Sequence, residues 1–74
     1  MTGVEAKEIA RKFVSTLELR TYTATFIEAR KHERWPNEWS VIFELRSSQG
    51  HLMDGPMVVI VDETTGKGRL LESP

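Results

Sequence analysis

A helical period occurs once in this chain, at its start. Ile9, Phe13 and Leu17 recur every four residues, with Ala6, Ala10 and Val14 beside them, so an apolar stripe runs down one side of a helix. Glu5, Lys7, Glu8, Arg11 and Lys12 fall mostly off that stripe. Thr2, followed three residues later by Glu5, fits a capping box in which hydroxyl and carboxylate satisfy backbone N–H groups left over at a helix start. The spacing predicts a helix from about Gly3 to Leu17. A single amphipathic helix has nothing of its own kind to pack against, so the rest of the chain must supply the opposing surface.

From Arg20 onward the pattern is that of β-structure. Tyr22, Ala24 and Phe26 alternate with Thr21, Thr23 and Thr25, and the run predicts a strand continuing to roughly Lys31. Trp35-Pro36-Asn37 marks a turn. Glu38 to Arg46 is the clearest strand, with Trp39, Val41, Phe43 and Leu45 on one face and Ser40, Ile42, Glu44 and Arg46 on the other. A loop follows from Ser47 to Pro56. Met57 to Asp62 is apolar on both faces, as in an interior strand. Asp62-Glu63-Thr64-Thr65-Gly66 reads as a hairpin turn, and Gly68 to Glu72 as a short last strand.

The expected architecture is α+β in the order α-β-β-β-β. One N-terminal helix packs on a four-stranded antiparallel meander, three strands long and one short, and residues 1–74 form a single domain. The helix covers one sheet face, lined by Trp39, Val41, Phe43 and Leu45 with Tyr22 and Phe26. The other face carries Thr23, Thr25, Ile27 and Ile42, with one side of the Met57–Val61 strand, taken as Val58 and Ile60. That second face is more apolar than a solvated sheet needs.

Charge and composition narrow the function classes. Ten Lys and Arg stand against 11 Asp and Glu, a net charge of −1, whereas a general nucleic-acid binder draws its affinity from a positive excess. There is no cysteine, hence no disulfide, zinc-thiolate site or thiol chemistry, and a cytoplasmic setting is expected. The first ten residues contain no apolar signal-like core, and the longest apolar run, Met57 to Val61, is too short to span a bilayer.

The spaced alanines Ala6 and Ala10, the Trp39-Ser40-Val41-Ile42-Phe43 strand and the Val59-Ile60-Val61-Asp62-Glu63-Thr64-Thr65-Gly66 ending together resemble PepSY-type domains, small cystatin-like α+β modules whose strands often end in a V-D-x-x-T-G turn. Gly68 stands where the last strand of such domains often has an apolar β-former. The resemblance implies an inhibitory or regulatory interaction module, commonly secreted or membrane-attached, without catalytic residues.

Chemistry-bearing residues do not assemble into a reactive pattern. His32 and His51 lie in separate loops without metal-ligand spacing and are expected to be solvated. Asp62 and Glu63 suit a turn. Ser47-Ser48 lacks a nucleophile-elbow context, and the glycines form no phosphate loop. No enzyme activity, metal or cofactor is expected. The basic and aromatic loop Arg30, Lys31, Arg34 and Trp35 is the one local candidate for nucleic acid, but Glu28, Glu33 and Glu38 interleave with it. The leading expectation is therefore a protein-interaction or regulatory module that meets a protein partner, or a second copy, through Thr23, Thr25, Ile27, Ile42, Val58 and Ile60. Leu52 and Met53 would form the rim. Nucleic-acid binding through the basic loop is the alternative.

Overall fold

The structure, a computed structural model, describes residues 1–17, 22–47, 49–51 and 56–71. Among these residues it has one helix, α1 (Gly3–Ser15), and four strands, β1 (Thr23–Lys31), β2 (Glu38–Arg46), β3 (Met57–Asp62) and β4 (Lys67–Leu70). The strands form one antiparallel sheet in the order β1-β2-β3-β4. The meander expected from the sequence is the one observed.

Thr2 caps α1 as its spacing from Glu5 predicts. Its hydroxyl accepts from the Glu5 amide at 3.2 Å and lies 3.4 Å from the Glu5 carboxylate, to which it donates. The helix ends two residues earlier than the apolar period suggests. Ser15 Oγ donates to the Lys12 carbonyl and Thr16 Oγ1 to the Phe13 carbonyl, both at 2.6 Å, and the Thr16 and Leu17 amides turn back to Phe13 and Val14. Adjacent hydroxyls that bind local carbonyls compete with the next helical turn, and here they end it.

Ala6 and Ala10 are fully buried and face the sheet, where their small side chains bring α1 close to β2 and β3. The core beneath them is Val41, Phe43, Val59 and Val61, with Ile9, Phe13, Val14, Ala24, Phe26, Ala29, Trp39 and Met57 packed around it. Phe26 and Phe43 meet edge to face at 6.2 Å between ring centroids. The register settles which side of β3 meets the helix. Met57, Val59 and Val61 stand opposite Phe43, Val41 and Trp39, which leaves Val58 and Ile60 on the reverse side.

Two features of β1 differ from expectation. Tyr22 precedes the strand and is 39% exposed, outside the helix-covered core where alternation placed it. The register also slips between Phe26 and Glu28, so that Ile27 and Glu28 together oppose Ile42. Unbroken alternation from Ala24 and Phe26 would carry Glu28 and Arg30 under the helix. The extra residue turns Ala29 inward instead and sends both charges to the reverse side. Burying an ion is far costlier than one bulge.

The β3–β4 turn follows its sequence closely. Asp62 Oδ1 accepts from the Thr64 amide at 2.7 Å and the Thr65 amide at 3.4 Å. The Gly66 amide bonds the Asp62 carbonyl, and Gly66 has φ +70°, a conformation that favours glycine. β4 then spans Lys67–Leu70, starting one residue before the expected Gly68.

Candidate functional site

The side of the sheet away from α1 carries the residues expected to meet a partner. Thr23 and Thr25 project there from β1, Ile42 from β2, and Val58 and Ile60 from β3. Ile27, at the bulge, is 50% exposed. Leu52 and Met53, the expected rim, lie outside the described residues.

This face is less apolar than its pattern suggested. Glu28 and Arg30 reach it because of the bulge, and they join Glu38, Glu44, Arg46 and Arg69. Arg30 pairs with Glu28 at 3.0 Å, Arg69 with Glu38 at 3.3 Å, and Arg46 with Glu44. The apolar part is confined to a central strip, Ile42, Val58 and Ile60. The chain itself covers one end of that strip, so Ile60 is only 3% exposed although no helix lies over it.

The cover comes from the β1–β2 loop on one side and the end of β4 on the other. Ile60, Ser40 and Glu38 line a shallow depression of about 410 Å³ together with His32, Trp35, Arg69 and Leu71. A second one, of about 540 Å³, continues along Ser40, Ile42 and Val58 between the Arg30–Glu33 segment and Leu71. The two share His32, Ser40 and Leu71 and form one groove along the sheet. Trp35 and Leu71 flank it and remain 54% and 57% exposed.

His32 organises the loop, a role its sequence position did not reveal. Expected to be solvated, it is half-buried. Its Nδ1 accepts from the amides of Arg34 and Trp35, each at 3.3 Å, and its ring lies 4.8 Å from the Trp35 ring. The His32 amide donates to the Glu38 carbonyl and the Glu38 amide to the Trp35 carbonyl, both at 2.9 Å. A histidine two and three residues before the amides it accepts can imitate an Asx-turn, which is the local signal available in the sequence.

The basic and aromatic cluster does not assemble into one patch. Arg30 is on the reverse side and paired with Glu28, whereas Lys31 is on the helix side with its Nζ 6.0 Å from the Trp39 ring. Arg34 lies 5.5 Å from the Trp35 ring that His32 also contacts. On the helix side, Trp39 Nε1 donates to Glu63, whose carboxyl is held below its ordinary value of 4.5 mainly by that bond. Among the described residues, no three His, Asp or Glu side chains converge as a metal site requires. No helix among them is long and apolar enough to cross a membrane.

Comparison of the chain with protein-family models, curated proteins and solved structures finds no significant match.

Proposed function

We propose that this chain is a small, non-catalytic protein-interaction module that receives its partner in the groove on the uncovered sheet face. The observation that carries the proposal is the pairing of Trp35 and Leu71, both more than half exposed, on either side of the groove at its Ser40–Ile60 end. Large apolar side chains that flank a groove are the usual anchors of a protein interface. The ion pairs Arg30–Glu28 and Arg69–Glu38 frame the central strip with balanced charge. Such a rim suits a protein surface, a second copy of this chain included, better than a polyanion, which needs unpaired cations.

A regulatory role of the PepSY type belongs to the same reading and rests on the sequence resemblance. A cytoplasmic setting rests on the cysteine-free composition.

The test is capture of partners from a native lysate with the wild-type chain and with a Trp35→Ala/Leu71→Ser variant, beside sedimentation of both over a range of concentrations. Both substitutions fall on exposed side chains, so circular dichroism should be unchanged. Partners, or concentration-dependent self-association, that disappear in the variant support the groove. Identical captures and a monomer in both cases would rule it out.

A further inference from the structure

The outer edge of β1 forms a second surface, independent of the groove on the reverse face. Among the described residues β1 ends the sheet, so half of its backbone groups have no neighbouring strand there. The hydrogen-bond alternation identifies which half. The Leu71 amide donates to the Val58 carbonyl, so Val58 faces β4 and its neighbours Met57 and Val59 face β2. Their partners Phe43 and Val41 therefore bond β3, and Leu45 turns its backbone groups the same way by alternation along β2. The β1 residues directly opposite Leu45 and Phe43 are Ala24 and Phe26, whose N–H and C=O groups consequently point outward.

Beside this edge lies an open trough of about 500 Å³ between β1 and α1. Val14, Ala24, Phe26 and Phe43 provide its apolar lining, and Lys7 and Arg11 its cations. Lys7 Nζ sits 4.4 Å from the Phe26 ring centroid, and Arg11 has only a long 3.9 Å pairing with Glu8. Unlike the cations of the reverse face, these two are not closely matched by carboxylates among the described residues. A strand edge next to a helix, with a trough between them, is the geometry by which extended peptides add to a sheet.

The geometry points to an extended peptide segment of acidic and apolar character that adds antiparallel to β1 at Thr23–Phe26. Its residue opposite Phe26 lies beside Lys7 and is acidic. Its residue opposite Ala24, two positions along, lies beside Val14 and is apolar. Both project to the helix side, because alternate residues of an added strand share a face. The bulge at Ile27 ends the regular edge and limits the addition to this short stretch.

The probe is an acetylated, amidated peptide, Thr-Thr-Glu-Thr-Val-Thr-Thr, titrated into the isotopically labelled chain. Saturable binding below about 1 mM is expected, with slowed hydrogen exchange at the Ala24 and Phe26 amides. N-methylation of the peptide's Val and Glu amides should abolish binding. Arg11→Glu should weaken binding about tenfold, and Lys7→Glu/Arg11→Glu further still. Changing the peptide's Glu to Lys should restore binding to the double variant; if that variant fails to fold, Arg11→Glu, at an exposed position on α1, carries the same comparison. The proposal is overturned by no binding at 1 mM or by shifts confined to Ile42, Val58 and Leu71. It is equally overturned if protection of Ala24 and Phe26 grows with protein concentration alone, since a second copy would then occupy the edge.

Discussion

The indole N–H of Trp39 donates to the carboxylate of Glu63, 24 residues further along the chain. This bond ties the start of β2 to the turn that closes β3 onto β4. The Glu63 amide completes the tie by donating to the Asn37 carbonyl at 2.8 Å, so the two turns at this end of the sheet are held together. Gly3, at the start of α1, packs above the same indole, where a Cβ would stand 3.6 Å from it.

Stability should depend on pH through Glu63. The Trp39 bond lowers its pKa first, the α-ammonium of Met1 and Lys31 add to this, and desolvation opposes it. A carboxyl whose folded pKa lies below its unfolded value stabilises the fold at pH above the unfolded value. That contribution is lost as pH falls through the lowered folded one. Urea midpoints of wild type and Glu63→Gln should therefore differ at pH 7 and converge in acid below 4.5. Parallel midpoints across that range would remove Glu63 from the account.

Gly68 should resist enlargement. A Cβ there would lie 3.3 Å from both Phe13 Cβ and Val59 Cγ1, so glycine lets the end of α1 settle on β4. Gly68→Val should cost about 1–3 kcal/mol in denaturant unfolding, the usual range for overpacking. Combining it with Phe13→Ala should recover part of the loss as a non-additive coupling.

Truncating the core should be close to the limit of what the domain tolerates. Phe43 is 2% exposed and meets Phe26 edge to face. Phe43→Ala should cost about 3–5 kcal/mol, against a total of roughly 4–11 kcal/mol for a domain of this size. Calorimetry should show a large fall in Tm or loss of the cooperative transition.

The loop that carries Trp35 should depend on an acceptor at position 32. His32→Asn keeps a side-chain acceptor for the Arg34 and Trp35 amides, whereas His32→Ala removes it. Amide exchange at those two residues should quicken about fivefold in the alanine variant, the effect of losing about 1 kcal/mol of hydrogen bonding. The asparagine variant should stay near wild type.

Replacing the Thr2 cap should loosen the start of α1. Thr2→Ala should cost about 1 kcal/mol, seen as faster exchange at the Glu5 amide that the hydroxyl accepts.

Local chemistry was legible wherever it acted alone. The bounds of β2 and β3 follow strict patterns, and the Asp62–Gly66 turn follows from an Asx acceptor and a glycine at positive φ. The candidate face was legible only in part. Alternation put Val58 and Ile60 on one side of β3 without deciding which side meets the helix, and it gave no sign that Glu28 and Arg30 would join them on the reverse face. Nothing in Thr25-Phe26-Ile27-Glu28 marks a bulge by itself, because the bulge answers the cost of bringing Glu28 and Arg30 beneath a helix far away in sequence.

The linear order of residues thus determined one capped amphipathic helix, four strands and the β1–β2 and β3–β4 turns, since each depends on neighbours within a few positions. Tertiary structure alone decided which face of β3 the helix covers, where β1 slips its register, and how His32 and Trp35 come to shelter Ile60. Those outcomes depend on which distant side chains compete for the same buried space.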